Sequence, residues 1–289
     1  MAIANSELIL NNDGSIYHLH LKPENISDTI LLVGDPGRVK MISKHFSKIE
    51  FEIQNREFFT HTGYYKGKRI TALSTGIGTD NIDIVVNELD ALVNIDFKTR
   101  TPKEKLSKLN LIRLGTSGGL QEEAKVDSFV ITKKSIGFDG LLNFYKQRDE
   151  ISDKEFEKTF CDYINWHPYL PKPYVIDASE HLLKIFEKDH LCGVTISAPG
   201  FYGPQGRVLR LPILDPDINS KIEKFSFKNY KITNYEMESS ALYGLSKLLG
   251  HNALTICVII ANRVNKTFSK DYKARVEDLI VYTLEKLTE

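Results

Sequence analysis

Seven short runs rich in β-branched and aliphatic residues constrain this chain more than any other feature: TILLVG (29–34), RITALSTG (69–76), LNLIRLGT (109–116), SFVITKK (128–134), HLCGVTISA (190–198), KITNYEM (231–237) and ALTICVIIAN (253–262). Several are almost continuously apolar rather than alternating, which is the pattern of strands covered on both faces, so they predict a central, buried sheet. Helical spacing fills the gaps between them. Ile82, Val85, Val86, Leu89, Leu92 and Val93 share one helix face, as do Ala241, Leu242, Leu245, Leu248 and Leu249, with Gly250 placed to stop the second helix. Val276, Leu279, Ile280, Leu284 and Leu287 describe a C-terminal helix. Ser152 and Glu155 have capping-box spacing ahead of a stripe of Phe156, Phe160, Tyr163 and Ile164. Strands that alternate with helices predict an α/β layered sandwich.

The breaks in this pattern are too weak to divide the chain, so residues 1–289 are read as one domain. The charged stretch DFKTRTPKEKLSK (96–108) reads as a solvated surface connection, and NWHPYLPKPY (165–174) as an ordered loop. Lys and Arg total 38 against 38 Asp and Glu. This balance supplies no basic surface for nucleic acid or an anionic membrane, and a small ligand is the better expectation. Cys161, Cys192 and Cys257 match no zinc or disulfide spacing; Cys192 and Cys257 lie in apolar runs as small core residues, and a reducing cytoplasm is the expected compartment. MAIANSELILNNDGS has no signal-peptide pattern, and no run approaches the length of a membrane span.

Three glycine-bearing turns follow directly on predicted strands: GDPGR (34–38), STGIGTDN (74–81) and RLGTSGG (113–119). Glycine admits an anion close to backbone N–H groups, and ligands of α/β sheets gather at the carboxyl ends of strands. None of the turns is a P-loop or a dinucleotide fingerprint. They offer Arg38, Arg113 and the Thr116 hydroxyl, a donor set suited to free phosphate, although each turn taken alone is more often just a tight βα connection.

Their order is more specific than any member. GDPGR, NREF (55–58), STGIG, LIRLGTSGG, FYGPQGR (201–207), NYEMESS (234–240) and IIANR (259–263), spread over nearly the whole chain from YHLHL (17–21), resemble the nucleoside phosphorylase family of the uridine phosphorylase type. That resemblance implies a three-layer α/β sandwich around a central mixed, partly barrel-like β-sheet flanked by helices. It implies reversible phosphorolysis of uridine to uracil and ribose 1-phosphate, a pentosyltransfer with inorganic phosphate as co-substrate and no cofactor. Carried over by position, Gly34, Arg38, Arg113 and Thr116 hold phosphate, and Arg56 reaches a neighbouring subunit's phosphate site. Glu238 accepts from ribose hydroxyls, Met237 and Thr116 line the sugar, His18 meets the 5′-hydroxyl across a dimer interface, and Glu236 is a further candidate in the same turn. Sites shared in this way imply a homodimer, with hexamers also within the family's range, and Glu57 and Ser74 are candidates for a monovalent cation at the interface.

In FYGPQGR, Gln205 and Arg207 match the amide and guanidinium that read a uracil edge of alternating C=O and N–H, and Phe201 matches the aromatic against the ring. Purine-cleaving bacterial relatives carry an aspartate in the last motif; here it reads IIANRV, with Ile260 as an apolar wall and Arg263 behind the base site. Arg207, Gln205, Glu238 and Arg113 are the expected catalytic set. TDN (79–81) after GIG, the long 96–108 connection and the segment GFDGLLNFYKQRDE (137–150) depart from the family pattern. The first borders the site, so preference among uridine, deoxyuridine, thymidine and purine nucleosides stays open. The rival readings are a purine nucleoside phosphorylase or a nucleosidase on the same fold, and an inactive sensor of nucleoside or phosphate.

Overall fold

The computed structural model describes residues 2–188 and 190–289. Its strands are β1 Thr29–Val33, β2 Lys48–Asn55, β3 Phe58–Tyr65, β4 Lys68–Ser74, β5 Ile95–Asp96, β6 Thr101–Pro102, β7 Asn110–Gly119, β8 Phe129–Gly137, β9 Tyr174–Asp177, β10 Leu191–Ser197, β11 Ser226–Phe227, β12 Tyr230–Glu236, β13 Asn252–Asn262 and β14 Thr267–Phe268. The helices are α1 Pro36–Ser43, α2 Thr79–Asn94, α3 Arg148–Ile151, α4 Lys154–Ile164, α5 Glu180–Phe186, α6 Ile218–Lys224, α7 Ser239–Leu249 and α8 Tyr272–Lys286.

All seven apolar runs are strands of one sheet. Its order is β11-β12-β10-β8-β13-β7-β1-β4-β3-β2, with an additional pairing of β12 to β7. That pairing, Asn234 opposite Gly119 and Tyr235 opposite Gly118, bends β7, β13, β8, β10 and β12 round into a five-stranded barrel. β1, β4, β3 and β2 continue the sheet outward from β7. Closure needs a sharp local twist, which a register shift between Gly193 and Val194 supplies. A Cβ at Gly193 would stand 2.1 Å from the Thr233 methyl, so the two strands approach this closely only because residue 193 has no side chain.

Burial follows from the layers. β1 is buried along its whole length, and Ile82, Val85, Val86, Leu89 and Leu92 of α2 and Leu242 and Leu245 of α7 pack into the same core. Gly250 ends α7 in the left-handed conformation at φ 83°, as its position predicts.

Several expectations are corrected. α4 is capped by Asp153, whose side chain accepts from Phe156 N, and not by Ser152, whose hydroxyl accepts from Arg148. Asp153 wins because its longer carboxylate reaches the N3 amide while also taking the Lys134 ammonium at 2.9 Å. Tyr163 is exposed and lies beside Phe225 rather than in the buried stripe. The 96–108 connection is mostly exposed, as expected, and its Arg100 donates to the carbonyls of Ile3, Ala4 and Leu8 and so ties down the N-terminal segment. Cys192 is half-buried rather than core, whereas Cys257 is fully buried as expected. Among the described residues no helix is long and apolar enough to cross a membrane.

Candidate functional site

The glycine turns and the late motifs converge on one cavity of about 730 Å³. β1 delivers Gly34 and, after one turn, Arg38 of α1; β7 delivers Arg113 and Thr116; β12 ends in Glu236, Met237 and Glu238; β13 supplies Ile260. The loop after β10 supplies Phe201, Gln205 and Arg207. Ten predicted site residues therefore line one wall or another of a single space: Gly34, Arg38, Arg113, Thr116, Phe201, Gln205, Arg207, Met237, Glu238 and Ile260.

At one end the charges are strongly coupled. Arg113 is buried and places Nη2 2.5 Å from Glu238 Oε2 and Nε 3.7 Å from Glu236 Oε2. Burial alone would pull the Arg113 pKa down, but the Glu238 and Glu236 carboxylates outweigh it and hold the guanidinium more firmly protonated. Glu238 also accepts from Gly78 N at 2.8 Å, so the GIG turn fixes the acid that its sequence position does not hint at. Arg113 Nε is buried, faces Glu236 and has no hydrogen-bond partner among the described residues, and Nη1 donates to Thr75 Oγ1 at 3.4 Å. Arg38 forms no ion pair among the described residues, and its pKa is lowered by burial and then by the neighbouring Arg113 charge. A dianion between these two guanidinium groups would be attracted by both.

Glu236 serves a different purpose from Glu238. Its carboxylate accepts from Glu238 N at 2.9 Å, Ser239 N at 2.9 Å, Ser239 Oγ at 2.6 Å and Ser197 Oγ at 2.5 Å. It thereby caps α7 and holds the preceding Met-Glu turn in shape. Burial first, then the nearby Glu238, raise the Glu236 pKa, against the opposing pull of Arg113.

At the other end Arg207 Nη1 donates to Phe201 O and to Gln205 Oε1, each at 2.5 Å, and its guanidinium lies 3.7 Å from the centroid of the Phe201 ring. The Arg207 pKa falls to about 10 through burial and the repulsion of Arg263. Gln205 is 3 % exposed. Its loop turns at Gly206, whose φ is 68° and where a Cβ would meet Asn219 Nδ2 at 2.2 Å. Gly206→Ala is therefore expected to cost about 1–3 kcal/mol of local strain. Substrate titration should show KM rising several-fold with kcat less changed, and an unchanged KM would mean the turn does not hold Gln205 and Arg207.

Three predicted residues lie outside the cavity lining. His18 pairs with Glu88, Arg56 lies 5.9 Å from the Tyr17 ring at φ 52°, and Arg263 stacks 5.2 Å from the Tyr235 ring behind the wall. His18 and Arg56 are held together, because Asn55 Nδ2 donates to His18 O at 2.7 Å. Of the candidate cation pair, Ser74 Oγ donates to Glu57 O at 2.5 Å and accepts from Phe59 N at 2.8 Å, and Glu57 lines the cavity. Asn262 donates to the carbonyls of Gln121 and Ala124 and turns away from the base end. Asn81 of the TDN segment lines the cavity, as its place beside the site led one to expect, whereas sequence reading missed Tyr235 and Phe268. Tyr235 sits inside a quoted motif, whereas the β14 hairpin that carries Phe268 has no motif signal.

The Phosphorylase superfamily model matches residues 28–285. Uridine phosphorylase of Thermococcus kodakarensis is 30% identical over 264 residues, covering 89% of this chain and 81% of that protein. A DeoD-type purine nucleoside phosphorylase of Listeria welshimeri is 30% identical over 272 residues, 93% of this chain and 97% of its own. A Trypanosoma brucei nucleoside phosphorylase described as showing uridine phosphorylase activity superposes with a TM-score of 0.88 at 29% identity, over 98% of this chain and 99% of that one.

Proposed function

This chain belongs to the phosphorylase superfamily, and from that premise we propose that its cavity carries out reversible phosphorolysis of uridine by a pentosyltransferase of the uridine phosphorylase type. The observation that supports this most is that one cavity is lined by a cationic pair, Arg38 with Arg113, and by an amide-guanidinium pair, Gln205 with Arg207, together with Glu238 and Met237.

Phosphate held by Arg38, Arg113, Gly34 N and the Thr116 hydroxyl attacks C1′ of the ribose. The bond from phosphate oxygen to C1′ forms as the C1′–N1 bond breaks, and the electron pair leaves on the pyrimidine. Arg207 and Gln205 face the oxygens on which that negative charge develops. Glu238 accepts from ribose hydroxyls once substrate takes over part of its bonding to Arg113. Phosphate is the nucleophile, so no side chain becomes covalently bonded.

The DeoD-type relative raises the purine alternative. The four carboxylates that line the cavity are Asp35, Glu57, Glu236 and Glu238, and none comes from the turn after β13, where Asn262 is occupied elsewhere. A purine leaving group would lack its proton donor there, which favours the pyrimidine reading. His18 and Arg56 complete the pocket of a second protomer in a homodimer, and Arg263 backs the base end. Three free thiols suit a reducing compartment such as the cytoplasm.

Uridine, deoxyuridine, thymidine and inosine should be assayed with and without inorganic phosphate. Phosphate-dependent release of uracil, with inosine inert, is expected. Release of base without phosphate, or turnover of inosine in place of uridine, would overturn this reading, and binding without turnover would restore the sensor alternative.

A further inference from the structure

His18 is immobilised at every polar atom but one. Its backbone N donates to Glu88 Oε1 at 3.0 Å, its carbonyl accepts from Asn55 Nδ2 at 2.7 Å, and its ring Nδ1 lies 2.6 Å from Glu88 Oε1. Only Nε2 is without a hydrogen-bond partner among the described residues. The segment cannot drift, because Ile16 and Leu19 on either side are buried and Leu19 N donates to Glu88 Oε2 at 2.8 Å.

Glu88 projects from the middle of α2, and the side chain is 13% exposed. Both of its oxygens already accept backbone N–H groups, Oε1 from His18 and Oε2 from Leu19, so the carboxylate acts as acceptor and the proton between it and the ring belongs to Nδ1. In the neutral imidazole this leaves Nε2 as a bare acceptor. An acceptor suits a hydroxyl, which can donate to it. It does not suit a phosphate ester oxygen, which cannot, and whose charge the nearby Glu88 carboxylate opposes.

We propose that Glu88 is a positioning residue that fixes His18 as a hydrogen-bond acceptor for the 5′-hydroxyl of the nucleoside in a partner protomer's pocket, selecting nucleosides over 5′-nucleotides. The proposal rests on the reading that His18 serves the pocket of a second copy. It goes further in assigning the tautomer, the residue that sets it and the class of ligand it rejects.

The test compares uridine with 5′-deoxyuridine, which lacks the hydroxyl, in the full-length enzyme. Glu88→Ala is expected to lower kcat/KM for uridine about tenfold through KM, as for loss of one directed hydrogen bond, and to leave 5′-deoxyuridine unchanged. His18→Ala should do the same, and the double variant should lose no more than His18→Ala alone, since the two act as one unit. If Glu88→Ala fails to fold, Glu88→Gln replaces it: packing is kept, the charge that selects the tautomer is gone, and the preference for uridine should fall in the same direction. Equal losses on both substrates, or additive losses in the double variant, would reduce Glu88 to a structural role and overturn the proposal while leaving the shared pocket standing. An unchanged preference in His18→Ala would instead remove the shared-pocket reading, and this inference with it.

Discussion

Arg207→Ala is expected to lower uridine turnover by roughly two to three orders of magnitude, the usual consequence of deleting a donor aimed at a developing oxyanion. Arg207 makes no ion pair among the described residues; its bonds go to a carbonyl and an amide oxygen. The guanidinium charge is therefore uncompensated locally and free to act on a leaving group. The same feature predicts little structural damage, because its loss strands no buried carboxylate. Thermal unfolding should stay close to wild type while kcat collapses. Arg207→Lys should recover only part of the activity, because an ammonium lacks the planar guanidinium that lies 3.7 Å from the Phe201 ring centroid and the second terminal nitrogen beyond the one that donates to Gln205 and the Phe201 carbonyl. Turnover near the wild-type value in the alanine variant would remove the base-site assignment.

Arg113→Met is expected to cost both stability and phosphorolysis. It leaves two buried carboxylates, Glu236 and Glu238, without their counter-ion, and breaking a buried pair from one side typically costs about 3–5 kcal/mol. The effect should depend on pH, with a sign that follows from Glu236. Its pKa in the folded state is already raised by burial and by Glu238, and Arg113 is the chief opposing influence, so the variant raises it further. An acid that binds its proton more tightly when folded than when unfolded destabilises the fold at pH values above the folded pKa. The penalty fades as pH falls through that value towards the ordinary 4.5 of the unfolded chain. The difference in Tm between Arg113→Met and wild type should therefore be widest at alkaline pH and narrow on acidification. A gap independent of pH would show that the carboxylates are compensated by something other than Arg113.

Much of the architecture was legible because burial on both faces leaves a direct trace in composition. β1, β7 and β13 read as strands from their apolar continuity alone, and α2 and α7 from their spacing. β2 and β3 were missed although Ile49, Phe51 and Ile53 alternate with polar residues. β2 is an edge strand with partly exposed side chains, and its lysine and glutamates read as surface. The Ser152 capping box failed for a related reason, since spacing proposes a partner and three-dimensional reach selects it. Within the site, the roles of Glu236 and Glu238 could not be separated in the heptapeptide NYEMESS. One points back to cap the helix that follows, and the other forward to Gly78 and Arg113.

Local pattern thus determined which segments become strands and helices, and the order of the motifs determined which chemical groups reach the carboxyl ends of the strands. Those properties depend on neighbours within a few residues, where the periodicity of the backbone ties side chains to faces. Only the tertiary structure decided which charges meet. Arg113 finds Glu238 across 125 residues and His18 finds Glu88 across 70. Such pairings depend on barrel closure and on how α2 packs, and on the cost of burying a charge without a partner, none of which is written in the spacing of either residue.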